Sequence, residues 1–156
     1  MSVASVESTA IALNVGDQAF GLLIGEIHEF IEPIHAAKVP MTHPYFLGLI
    51  SLRGKVLPLI NLAGVFHADH NPFPLEDEKY VICGTEDERI ALDIHSVGEP
   101  FTFHSENLVP VNDEKNIIAA KLRLENRELP LLNIGKLIAL TKSLNSLERD
   151  RIDFSS

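Results

Sequence analysis

The chain holds one cysteine, no tryptophan, two tyrosines and no basic run longer than two residues. Each scarcity removes a class of protein. A lone Cys83 cannot close an intrachain disulfide, and within Tyr80-Val81-Ile82-Cys83 it reads as a small buried hydrophobe. With so few aromatics, and none interleaved with basic residues, no platform for stacking nucleic-acid bases is present. Basic residues number 13 against 22 acidic, a formal charge of −9, which repels a phosphate backbone and an anionic membrane surface. Long apolar runs are missing too: Arg53 and Lys55 interrupt the longest apolar region, well short of a membrane span. The start, Met1-Ser2-Val3-Ala4-Ser5-Val6-Glu7, lacks the basic and apolar segments of a secretory leader. The expectation is a cytoplasmic protein with no nucleic-acid partner and no direct membrane insertion.

What is present is enough to fold. Hydrophobic residues make up 46% and charged ones 22% of 156 residues, which suits one domain or two small, intimately joined subdomains. Short apolar runs broken by polar turns about every ten residues indicate an all-β chain. Ile11 to Val15 and Ala19 to Ile24 flank the turn Gly16-Asp17-Gln18. Lys55 to Leu62 forms a strand entered through Arg53-Gly54; Pro58 lacks an N–H, so that strand must meet an edge, a bulge or a bend there. Lys79 to Gly84 and Arg89 to Ile94 flank Thr85-Glu86-Asp87-Glu88, and Ile117 to Leu124 and Glu128 to Leu132 flank Glu125-Asn126-Arg127. His67 to Glu78, with two prolines, reads as a linker. One helix is expected near 133–146, with Asn133 as N-cap and Ile134, Leu137, Ile138 and Leu144 at helical spacing. The charged segment after Leu147 should fray.

A catalytic set is harder to find. His28, His35, His43, His67, His70, His95 and His104 invite a search. His67 and His70, with Asp69 beside them, could approach one metal ion, but they sit next to Asn71-Pro72 in an expected loop without a third ligand fixed by spacing. His28 and Glu29 are neighbours on a strand and point to opposite faces, so they form no dyad. Neither a phosphate-binding glycine loop nor a nucleophile elbow occurs. The acidic clusters Glu76-Asp77-Glu78 and Glu86-Asp87-Glu88 do not have calcium-loop spacing and read as solubilising. The chain is therefore expected to be no enzyme, with no catalytic residues, no cofactor and no metal.

The most informative stretch runs from Phe20 to Phe66. Arg53 interrupts an apolar run at a turn, where its guanidinium must reach water or meet a carboxylate. The elements Phe20-Gly21-Leu22, Ile27-His28-Glu29-Phe30, Gly48-Leu49-Ile50-Ser51-Leu52-Arg53-Gly54 and Pro58-Leu59-Ile60-Asn61-Leu62 closely resemble the signature of the CheW family of chemotaxis coupling proteins. Ile90-Ala91-Leu92 with Val97, and Leu131-Leu132-Asn133-Ile134-Gly135-Lys136-Leu137, extend the likeness over roughly residues 11–140. Four positions depart from the family pattern: Ser51 for Asn, Asn61 and His95 for Asp, and Ala119 for Gly.

The resemblance implies an all-β fold of two adjoining five-stranded SH3-like barrels with a C-terminal helix. One subdomain would span about 22–70 and the other about 11–21 and 80–140. It also implies a non-enzymatic adaptor, recruited to membrane receptor arrays, whose partners are the cytoplasmic tip of a chemoreceptor and the regulatory domain of a CheA-type histidine kinase. By matching position, Ile27, Glu29, Gly48 and Arg53 become the receptor- or kinase-contact residues, with Glu29 and Arg53 expected to pair. The departures admit a paralogue serving an accessory or twitching-motility system. The alternative is a β-barrel module binding a peptide or small ligand outside chemotaxis.

Overall fold

The computed structural model describes residues 6–16, 18–34, 36, 46–62, 78–111, 117–125, 127–139 and 141. Eleven strands are present among them: β1 (Glu7–Val15), β2 (Gln18–Leu23), β3 (Ile27–Ile31), β4 (Phe46–Leu52), β5 (Lys55–Asn61), β6 (Lys79–Gly84), β7 (Arg89–Ile94), β8 (Ser96–His104), β9 (Leu108–Val109), β10 (Ile118–Arg123) and β11 (Glu128–Leu132). They form two mixed sheets, ordered β3-β6-β7-β5-β4 and β8-β1-β2-β11-β10-β9. The all-β expectation holds: the hairpins read from the sequence around residues 16, 85 and 126 are the antiparallel pairs β1–β2, β6–β7 and β10–β11, and the strand entered through Arg53-Gly54 pairs with β4 in a fourth.

Alternation along the central strands explains why they read as unbroken apolar runs. Val81 and Cys83 of β6, and Ile90, Leu92 and Ile94 of β7, pack with Ile11, Leu13 and Val15 of β1 into a core shared by both sheets. Their neighbours Tyr80, Ile82 and Ala91 point the other way, into a second core with Ile50, Leu57 and Leu59. Ala10 and Ala12 of β1 likewise face a third core with Phe103, Leu122, Leu129 and Leu131. A strand buried on both faces has no polar register to show. Helical backbone over 134–139 closes the shared core with Ile134, Leu137 and Ile138. Asn133 caps it as expected: its Oδ1 accepts the Lys136 N–H at 3.2 Å. Leu144, the linker residues His67 to Asp77 and the charged tail lie outside the described residues.

Each sheet rolls around its own core. In the five-stranded sheet, Ile31 of edge strand β3 and Leu52 of the opposite edge strand β4 pack on the same inner cluster. In the other sheet, β9 pairs with β10 at one edge, and the 3-10 turn Ser105–Asn107 joins β9 directly to β8 at the other edge. Strands β6 and β7 (79–94) belong to the five-stranded sheet, because β6 pairs with β3 and β7 takes the parallel edge of β5. Pro58 sits where the β5–β7 ladder has not yet begun, its first pair being Leu59 with Ala91, so the strand is locally an edge as its missing N–H requires.

Candidate functional site

The β4–β5 hairpin turns on two residues, Arg53 and Gly54, between the paired Leu52 and Lys55. Both have positive φ, 51° and 81°, the signature of the tight turn that matches the right-handed twist of two strands. Glycine occupies such positions freely; arginine does not. Arg53 is the only non-glycine with positive φ among the described residues.

Its guanidinium makes a bidentate contact with Glu29 of β3: Nη1 donates to Oε1, and Nη2 donates to Oε2 at 2.9 Å. The pairing expected from the sequence is therefore formed. It ties edge strand β3 to the turn that follows β4, the strand at the opposite edge of the sheet. The arginine side chain is 72% exposed and the glutamate 28%. The Arg53 hydrogen bond, foremost, holds the Glu29 carboxyl below the usual carboxylate range, with smaller charge contributions from Arg53, Arg89 and His28. The bond to Glu29 reciprocally raises Arg53.

A bulge in β3, between the pairs Ile27–Cys83 and Glu29–Ile82, aims Glu29 this way. His28, the extra residue, is exposed and its Nε2 meets the Gly84 carbonyl at 3.0 Å. Ile27 leans on the shared core instead. Gly48 is buried in β4 at a second bulge, with φ 147°, opposite Leu59. Of the four matched positions, the structure thus brings Glu29 and Arg53 together, while Ile27 and Gly48 shape the strands that carry them.

Beside this pair lies a groove of about 460 Å³ whose walls include Val56, Pro58, Ile138 and the turn residues Glu86, Asp87 and Glu88. Val56 is 63% exposed, an apolar side chain left on a strand surface.

Two charged residues that sequence reading passed over lie on β7. Arg89 and Asp93 alternate with the core residues Ile90, Leu92 and Ile94, so they share the inner face with Ala91. Among the described residues, Arg89 Nε and Asp93 Oδ1 are buried and meet no hydrogen-bond partner. Burial first, then a hydrogen bond and charge from Glu78, raise the Asp93 carboxyl from 3.8 to about 8. Burial, followed by the charges of Asp93 and Glu78, also raises neighbouring Tyr80 to about 12. The available signal was a charge of each sign inside an otherwise apolar strand. His95, one of the departures, plays a structural part, because its Nδ1 accepts the Gly16 N–H at 2.7 Å and so closes the β1–β2 turn. Cys83 is fully buried, and burial chiefly pushes its thiol up.

Among the described residues, no group of three or more His, Cys, Asp or Glu could hold a metal ion, and no helix is long and apolar enough to cross a membrane. His35, His43, His67 and His70 lie outside the described residues.

Comparison with known proteins gives a consistent result. The profile of the CheW-like domain matches residues 9–142. The chain is 28% identical over 141 residues to a probable chemotaxis protein CheW of Rhizobium etli, covering 85% of this chain and 88% of that relative. It is 26% identical over 135 residues to the chemotaxis protein CheW of Helicobacter pylori, covering 82% and 79%. Its fold is similar to the crystal structure of the scaffolding protein TtCheW from Thermoanaerobacter tengcongensis, with a TM-score of 0.74 at 18% identity over 82% of this chain and 85% of that one.

Proposed function

The chain belongs to the CheW-like domain family, and on that premise we propose that it is a non-enzymatic coupling scaffold of chemotaxis signal transduction. It joins the cytoplasmic tip of a chemoreceptor to the regulatory domain of a CheA-type histidine kinase, and is held in the cytoplasm at membrane receptor arrays. The observation that supports this best is Arg53. An arginine in left-handed backbone, mostly exposed yet fixed by both carboxylate oxygens of Glu29, is a costly way to build a hairpin. Local strain of this kind persists where a particular side chain must be presented, and the bidentate fork fixes its direction.

In this reading Ile27, Glu29, Gly48 and Arg53 form or support the contact surface. The groove beside them, where Val56 stands exposed near Pro58 and Ile138 and the acidic turn Glu86-Asp87-Glu88 forms one wall, suits an amphipathic helix, whose apolar stripe binds by burial while the ion pair sets orientation. The substitutions at Ser51, Asn61, His95 and Ala119 suit a paralogue serving an accessory or twitching-motility system as well as they suit the main chemotaxis adaptor.

Co-sedimentation of the full chain with a receptor cytoplasmic fragment and the kinase tests the reading. Arg53→Glu should weaken assembly strongly, and the exchange Glu29→Arg with Arg53→Glu should recover part of it. Assembly unaffected by Arg53→Glu would count against the residue's role. Wild type that binds neither partner but retains an unrelated peptide would favour a binding module outside chemotaxis.

A further inference from the structure

The polypeptide passes from one sheet to the other at His95, between β7 of the five-stranded sheet and β8 of the six-stranded one. Three hydrogen bonds sew this crossover to the end of β1 and its turn. The His95 N–H donates to the Asn14 carbonyl at 2.9 Å, Asn14 Nδ2 donates to Ser96 Oγ at 3.0 Å, and the Gly16 N–H donates to His95 Nδ1 at 2.7 Å. The joint sits over the shared core, since Val15 and Ile94, the residues just before Gly16 and His95, are both fully buried in it.

The third bond differs from the other two in what it demands of its acceptor. Its donor is a backbone N–H, so Nδ1 must present a lone pair, and the ring must be neutral with its proton on Nε2. Gly16 has φ 60° and lies in the turn beyond the last ladder pair, Val15–Gln18, so its N–H takes its acceptor from outside the hairpin. An imidazolium carries an N–H at both nitrogens. Two donors would then face each other at hydrogen-bond distance, and turn and ring must part. The family pattern has Asp at this position, and a carboxylate keeps its charge down to about pH 4; a histidine acceptor is lost well before that.

The groups around His95 set the pH at which this happens. Beyond the last β6–β7 pair, Lys79 with Ile94, the residues next in line are Glu78 and His95. Lys79 is engaged by Glu32, and Asp93, two residues back on β7, shares a hydrogen bond with Glu78. From β1 and β8 the neighbours are the uncharged Asn14 and Ser96. His95 keeps a further contact besides these, and Asp17 lies outside the described residues. A carboxylate nearby raises the pH at which the ring takes its second proton, but it cannot return a lone pair to Nδ1.

We propose that His95 is an acid-sensitive clasp: neutral, it pins the β1–β2 turn to the crossover between the sheets; protonated, it releases the turn and loosens the joint over the shared core. The opened joint takes the proton and the closed one refuses it. Acid therefore favours opening below about pH 6.5, the ordinary imidazole range, and raising the pH beyond that range adds nothing. The net worth of one such bond puts the effect at about fivefold in an equilibrium constant.

Long-range nitrogen-15 spectra of the full chain show which ring nitrogen holds the proton. At pH 7.5 His95 should carry it on Nε2 alone, and between pH 7.5 and 5.5 the ring and the Gly16 amide should shift with one midpoint. His95→Asn supplies a neutral carbonyl oxygen that accepts at every pH, so its Gly16 amide should hold still. In urea, wild type should lose about fivefold in folding equilibrium constant relative to His95→Asn over the same interval; the Asp93–Glu78 titration is common to both chains and cancels. A proton on Nδ1 at pH 7.5, a Gly16 amide indifferent to the ring's titration, or parallel urea profiles for the two chains would overturn the clasp. If His95→Asn does not fold, the wild-type spectra decide alone.

Discussion

Replacing Asp93 with asparagine should abolish a pH dependence of folding that wild type carries between mildly acidic and mildly alkaline solution. Asp93 lies on the inner face of β7 with Oδ1 buried and unpartnered among the described residues, and its folded-state carboxyl is raised from 3.8 to about 8 by burial and by Glu78. In the unfolded chain it ionises near its ordinary value. Between these two values the folded state holds a proton that the unfolded state has lost, so raising the pH favours unfolding throughout that window and has no further effect above it. The rise is roughly four units, and at about 1.4 kcal/mol per unit the ceiling is about 6 kcal/mol. Taking half of that ceiling, a loss of about 3 kcal/mol from pH 4 to pH 9 is the working figure. That is a large part of the ~5–15 kcal/mol that holds a domain of this kind together. Urea denaturation at a series of pH values measures it directly. Wild type should lose stability steadily towards alkaline pH, while Asp93→Asn, which keeps the hydrogen-bond donor of the protonated acid, should stay flat and exceed wild type at the alkaline end. Glu78→Gln removes the neighbouring negative charge, so the loss should begin at the same pH, end at a lower one and be smaller. Parallel profiles for wild type and Asp93→Asn would refute the reasoning.

Other perturbations follow from the backbone and the cores. Gly84→Ala should be severely destabilising, because φ is 125° and an added Cβ would lie 2.2 Å from the Glu88 carbonyl oxygen; thermal melts should show Gly54→Ala to be milder, its surroundings being open. Arg53→Asn should stabilise the hairpin, since asparagine accepts left-handed backbone more readily, while breaking the link to Glu29; a higher Tm with weaker partner assembly is the expected pair of results. Leu92→Ala, at a fully buried position of the shared core, should cost about 2–5 kcal/mol in urea unfolding, whereas Val56→Ala, on the surface, should change stability by less than about 0.5 kcal/mol. His95→Ala should cost about 1 kcal/mol through the lost turn bond to Gly16, read in the same assay.

Much of the fold was legible because hairpins announce themselves locally. Strands β6, β7 and β11 have the bounds read from the sequence, since turn residues flank apolar runs on both sides. β8 was missed, as Gly98 and Pro100 break its pattern; it tolerates them because it is an edge strand with a shifted register against β1. The sheet to which 79–94 belongs was not legible, for a different reason. Strands apolar on both faces are compatible with either neighbour, and only the long-range pairing with β3 and β5 decides. The Glu29–Arg53 contact was foreseeable from a charge stranded in an apolar run, aided by family resemblance. Arg89 and Asp93 were hidden because alternation in a doubly buried strand gives no polar side, so a charged residue there looks like an exposed one.

The sheet order also constrains how the polypeptide can reach its native state as it leaves the ribosome. The N-terminal hairpin β1–β2 occupies the middle of the six-stranded sheet, between β8 and β11, strands that emerge only after the whole five-stranded sheet has been made. Until then its outer edges are unpaired templates. The five-stranded sheet can assemble from residues already synthesised, but its shared core stays open on the side that β1 and the terminal helix will cover. Acquisition of structure is thus dominated by contacts distant in sequence, a topology that folds slowly and leaves apolar edges exposed to chaperones or to aggregation during synthesis.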